Sequence, residues 1–144
     1  MRVLFVCVAN AARSQMAEAF FNRMTGEKTR GYSASIQAGR ALNPLVIDAM
    51  REVGIDVSYQ KPKQLTAEML EYADWVVTIG CSIDRLFSCT FVPVQTWQIQ
   101  DTRGKSIEQV REIRDEIRAA VEGLVRQFER EEILPDFNIT LNSL

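Results

Sequence analysis

Hydrophobic and polar positions divide this chain into alternating strand-like and helix-like segments. Met1–Val6 is a nearly continuous apolar run, the pattern of a strand buried on both faces of a parallel sheet. From Arg13 to Met24 the period changes: Met16, Phe20 and Met24 share one helical face, with Ala17 and Phe21 beside them, and Thr25-Gly26 ends the segment. Tyr32–Gln37 reads as a second strand. Asn43-Pro44 starts a helix with a capping side chain and a first-turn proline, and Gly54 stops it. Thr66 caps a short helix through Tyr72, and Asp74–Gly80 is a third strand running into Cys81.

A last short strand near Val92–Trp97 leads through a loop to Ser106-Ile-Glu-Gln109, a capping-box sequence. The long helix it opens carries Ile107, Val110, Ile113, Ile117, Val121, Leu124 and Phe128 at three- and four-residue intervals, a core-packing stripe. On its polar side, Arg111 with Asp115 and Glu122 with Arg126 lie four apart, the spacing of weak surface pairs. The expected fold is α/β: a four-stranded parallel sheet flanked by helices on both faces, as a single domain over residues 1–132. After Leu134-Pro135 the segment 133–144 alternates apolar and polar residues, a pattern open to an edge strand, a dimer contact or a disordered tail.

Composition narrows the function classes. The chain has 144 residues, 47% hydrophobic and 25% charged, which suits one soluble domain. A net charge of −2 gives no general attraction to nucleic acid or anionic membrane. No stretch approaches the roughly 20 apolar residues of a membrane span, and the N-terminal run leads directly into the first motif, so the expected location is the cytoplasm. Three cysteines, an odd number, favour thiol chemistry over a secreted disulfide framework. There is no histidine, which excludes a Cys-His dyad and a histidine-based metal site.

The most specific chemical signal lies between the first strand and first helix. Cys7 follows the strand, and Val8, Ala9, Asn10, Ala11 and Ala12 form a loop leading to Arg13-Ser14, where the helix begins. Amide N–H groups in such a loop and the positive end of the helix dipole can cradle a tetrahedral oxyanion. The same field favours a thiolate at Cys7. Arg13 supplies a planar fork of donors for two oxyanion oxygens, Ser14 can donate to the Cys7 sulfur, and Asn10 can brace the loop. With no histidine to act as acid, Asp101 in the loop after the last strand is the best-placed proton donor. A turn-forming aspartate before Gly104 is the structural alternative for that residue.

Leu4–Cys7, Ser14-Gln-Met-Ala-Glu18-Ala, Tyr32-Ser33-Ala, Leu42-Asn-Pro44, Val53-Gly-Ile-Asp56, the Trp97–Lys105 segment and Arg114-Asp-Glu-Ile117 together resemble the low-molecular-weight tyrosine phosphatase superfamily. Within it they are most similar to the thioredoxin-coupled arsenate reductases. The resemblance runs from Met1 to about Phe128. It implies a phosphatase-like fold, Cys7 as nucleophile, Arg13 as oxyanion clamp, Ser14 as partner of the thiolate and Asp101 as general acid. It also implies a relay through Cys81 and Cys89, with arsenate or a phosphate-like oxyanion as substrate, no bound cofactor, and thioredoxin as external reductant. In that relay arsenite leaves as a Cys7–Cys81 disulfide forms, and Cys89 then attacks Cys81.

Residues eight apart on an intact helix lie about 12 Å apart along its axis. A disulfide needs Cα atoms within roughly 7 Å, so the Cys81–Cys89 segment has to bend during turnover. Thr102 stands where the family usually has proline, removing a rigid residue beside the acid. Glu18 and Ser33 match positions that help hold potassium in some relatives, but Lys61 and Lys63 flank Pro62 where an acidic ligand would be needed, so no metal site is expected. The competing readings are a low-molecular-weight tyrosine phosphatase, for which Cys7, Arg13 and Asp101 suffice, and a non-catalytic oxyanion-binding or thiol-sensing module.

Overall fold

The computed structural model describes residues 1–9, 12–81 and 92–142, with 132–142 described as backbone only. Four parallel strands, β1 (Arg2–Cys7), β2 (Arg30–Ser35), β3 (Trp75–Ile79) and β4 (Val94–Trp97), form one sheet in the order β2-β1-β3-β4. The helices are α1 (Arg13–Met24), α2 (Pro44–Glu52), α3 (Ala67–Tyr72) and α4 (Ile107–Asn142). This is the expected α/β architecture, and its strand order brings β1 between strands approached from opposite directions. The carboxyl ends of β1 and β3 therefore border the crevice in which such sheets bind ligands.

The strand pleat sorts β1 into two cores. Val3, Phe5 and Cys7 face the larger one, built with α1, α2 and α4, while Leu4 and Val6 face a smaller one closed by Leu65, Leu70 and Ala73. On the larger side Val110, Ile113, Ile117, Val121, Leu124 and Phe128 are all buried, so the predicted stripe of α4 is its packing face. Each such side chain contributes about 1.5–3 kcal/mol when fully buried. Aromatic edges tie this side together: Trp75 and Phe21 each meet Phe128, and Phe21 meets Phe5.

The caps form as the sequence implies. Asn43 Oδ1 accepts from the Leu45 amide, Thr66 Oγ1 accepts from the Met69 amide, and Ser106 and Gln109 exchange bonds at the start of α4. The expected charge pairs on α4 do not. Arg111 reaches across to Glu52 of α2 at 2.7 Å, Asp115 pairs with Arg114 at 2.9 Å, and Glu122 with Arg118 at 3.4 Å. Glu52 offers Arg111 both carboxylate oxygens, a fork-on-fork geometry that an i,i+4 partner on the same helix does not provide. The backbone of α4 remains helical past Pro135 to Asn142, so the tail adds no strand to the sheet.

Candidate active site

Three strand ends converge on the site: β1 delivers Cys7, β3 leads through Gly80 to Cys81, and β4 leads to the loop containing Asp101. Cys7 is buried, and its Sγ lies 2.9 Å from the Ser14 hydroxyl, which is also fully buried. The carbonyls of Cys7, Val8 and Ala9 accept from the amides of Ile36, Gln37 and Gly39, anchoring the start of the loop to the chain that follows β2. Asn10 and Ala11 lie outside the described residues. Ala12 occupies the N-cap of α1, where no side chain supplies a capping bond. A serine or aspartate there would compete with a ligand for the first-turn amides.

Arg13 is only 6% exposed, and its Nη1 donates to the Ile99 carbonyl at 2.8 Å. Its Nη2 stands 4.0 Å from Asp101 Oδ2. Gly80 makes this placement possible. Its φ is +66°, and a Cβ at that position would fall inside the guanidinium of Arg13. In the sequence Gly80 marks only the end of a strand, and its place directly before a candidate functional cysteine is the one local signal of this role.

Asp101 is one-third exposed and is held from two sides. Burial raises its carboxyl pKa, but hydrogen bonds from the Arg103 side chain and backbone, with the charges of Arg13 and Arg103, outweigh that and hold it below the usual carboxylate range. Thr102 does not loosen this loop in proline's absence. It is buried, and its Oγ1 accepts from Asn43 Nδ2 at 3.3 Å, which ties the loop to the N-terminus of α2. Asn43, read from sequence as a helix cap alone, therefore also bonds the residue next to the candidate acid.

Cys81 is half-buried, and its Sγ donates to the Val6 carbonyl at 3.5 Å, one residue from Cys7. Burial pushes its thiol pKa up, and the neighbouring Cys7 adds to the rise. Cys89 lies outside the described residues. Cys7, Arg13 and Asp101, with Ala9, Ala12, Asn43, Thr102 and Arg103, line one cleft of about 30 Å³. Beneath α1, the buried Glu18 meets Lys63 Nζ at 3.5 Å. Burial raises the Glu18 carboxyl pKa while the Lys63 ammonium opposes the rise.

A thiol beside a hydroxyl, a buried guanidinium and a carboxylate at one small cleft is a constellation for displacement at a tetrahedral oxyanion. A profile of the low molecular weight phosphotyrosine protein phosphatases matches residues 2–133. The chain belongs to that family. Arsenate reductase 1 of Staphylococcus epidermidis is 39% identical over 124 residues, covering 83% of this chain and 92% of the relative. Among solved structures of the same fold, the arginine phosphatase YwlE of Geobacillus stearothermophilus superposes with a TM-score of 0.85 at 24% identity, over 93% of this chain and 96% of that one. A thioredoxin-dependent arsenate reductase of Corynebacterium glutamicum superposes with a TM-score of 0.77 at 29% identity, covering 90% of this chain and 62% of that one. Among the described residues of this family member, no helix is long and apolar enough to cross a membrane, and no group of three or more Cys, Asp or Glu is arranged to hold a metal.

Proposed function

We propose that this protein is an arsenate reductase that uses Cys7 as nucleophile and regenerates it through a disulfide relay emptied by thioredoxin. The observation that carries the reading is the second thiol: Cys81 follows β3, the strand paired beside β1, and its Sγ bonds to the carbonyl of the residue preceding Cys7. A phosphatase needs no such neighbour. The identity with a staphylococcal arsenate reductase and the likeness to a thioredoxin-dependent one support the same choice.

The roles follow from thiol chemistry. The Cys7 thiolate forms a bond to arsenic as an As–O bond breaks, and Asp101 gives its proton to the departing oxygen, which leaves as water. Arg13 and the loop from Val8 to Ser14 hold the remaining oxygens. The Cys81 thiolate then attacks the Cys7 sulfur, and the S–As electron pair passes to arsenic, reducing As(V) to As(III). Arsenite departs and a Cys7–Cys81 disulfide remains. The Cys89 thiolate attacks Cys81, freeing Cys7, and a thioredoxin dithiol reduces the resulting Cys81–Cys89 disulfide. Residues 1–132 form the catalytic domain, with 133–144 as an appendage, and the cytoplasm is the compartment in which such a relay stays reduced.

The second reading, hydrolysis of phosphate monoesters through a cysteinyl-phosphate, uses the same Cys7, Arg13 and Asp101. Arsenate-dependent NADPH consumption with thioredoxin and its reductase, run beside p-nitrophenyl phosphate hydrolysis, separates the two. Reduction over many turnovers supports the reductase; ester hydrolysis without arsenate-dependent NADPH loss assigns the protein to the phosphatases.

A further inference from the structure

Arg103 is the second guanidinium of the cleft, and its present bonds use only part of its donor set. Its Nε donates to Asp101 Oδ2 at 2.9 Å and its backbone amide to Asp101 Oδ1 at 3.3 Å. Among the described residues, its two terminal nitrogens make no hydrogen bond. The side chain is 73% exposed, so moving it costs little packing, and it lines the same 30 Å³ cleft as Cys7 and Arg13. Arg13 and Arg103 thus meet at one carboxylate oxygen, the first as a buried side chain and the second as an exposed one.

Resting on the oxyanion reading of the site, we infer that Arg103 is a specificity-determining residue that passes from Asp101 to the incoming oxyanion and selects a free inorganic dianion over an organic monoester. The charge balance motivates the exchange. A dianion entering beside the Cys7 thiolate and the Asp101 carboxylate meets two like charges, and the Arg13 guanidinium alone does not offset them. Passing from Asp101 to the oxyanion, the planar fork of Arg103 grips two outward-facing oxygens, and its withdrawal removes a donor that favours the carboxylate and so favours the protonated acid. A free arsenate or phosphate presents those oxygens at the mouth. A monoester presents its organic group there instead and offers the fork no such pair of oxygens. Selection therefore comes from a contact available to one class of substrate and missing from the other.

The test measures oxyanion binding separately from turnover. Inorganic phosphate is titrated against iodoacetamide alkylation of Cys7 in the whole enzyme and in Arg103→Ala, Arg103→Gln and Arg103→Lys. Loss of an exposed charge-assisted fork should raise the half-protecting phosphate concentration about tenfold in the Ala and Gln variants, with Lys falling between them and the parent. The ratio of kcat/KM for arsenate to that for p-nitrophenyl phosphate should shift about tenfold toward the ester. If Arg103 only positions Asp101, the pH profile changes while phosphate protection stays at the parental value, and that result overturns the inference. A parent enzyme that protects Cys7 with phosphate yet reduces no arsenate defeats the reductase reading alone, because the protection titration still decides the role of Arg103.

Discussion

Gly80 and Arg13 occupy the space of a single side chain: the guanidinium lies where a Cβ on Gly80 would be. The main chain at Gly80 also adopts φ +66°, a conformation that other L-residues adopt rarely. Gly80→Ala should therefore push Arg13 off the Ile99 carbonyl while leaving the hydrophobic core untouched. A displacement of about 1 Å at a positioning group costs on the order of 100-fold in rate, and the backbone strain adds about 1–2 kcal/mol of instability. Turnover and thermal melting of the one variant check both. Near-parental turnover would mean that the guanidinium finds an equivalent seat.

The three cysteines separate by substitution. Cys7→Ser should abolish arsenate reduction and ester hydrolysis together. Cys89→Ser should stop arsenate turnover after one cycle and accumulate a Cys7–Cys81 disulfide, detectable by mass spectrometry under non-reducing conditions, while ester hydrolysis continues. Multiple turnovers by Cys89→Ser with thioredoxin would remove that residue from the relay.

The two raising influences on Cys81, burial first and Cys7 second, give a pH-dependent outcome. Removing the charge at Cys7 removes one of them, so the Cys81 pKa falls and more thiolate is present at a given pH. In a Cys89→Ser background, Cys7→Ser should shift the pH dependence of Cys81 alkylation by iodoacetamide toward lower pH. An unchanged profile would show that the two sulfurs are not electrostatically linked.

Lys63→Met tests the buried carboxylate below α1. Glu18 is 8% exposed and its pKa is already raised by burial; without the ammonium it rises further. A carboxylate whose folded pKa lies above its unfolded one binds a proton more tightly in the native state. Stability is then lost as pH rises from the unfolded value through the folded one. The variant should be less stable than the parent by about 1–3 kcal/mol at neutral pH and recover part of that loss on acidification below the folded pKa of Glu18. Melting curves across pH are the measurement, and a pH-independent loss would assign Lys63 a packing role.

Signals carried by neighbouring residues were legible in the sequence. The cap residues Asn43, Thr66 and Ser106 act within one helical turn, and the stripe from Val110 to Phe128 repeats a local period, so each reports its surroundings directly. The Cys7-to-Ser14 segment likewise carries strand, loop and helix in one contiguous stretch. The remaining features depend on partners far along the chain. Arg111 pairs across 59 residues with Glu52, Arg13 reaches Ile99 across 86, and Asn43 reaches Thr102 across 59. Gly80 is informative only once Arg13 is known to lie against it, and Arg103 only once the loop has folded over the cleft. No local period encodes such meetings.

The amide of Asn43 has a mechanical consequence. Its oxygen holds the first turn of α2 and its nitrogen holds Thr102, so the arm bearing Asp101 hangs from a helix that the Arg111–Glu52 and Arg114–Glu52 bridges clamp to α4. A disturbance on the outer surface of those two helices thus has a short, stiff route to the chemistry, one that bypasses the sheet altogether.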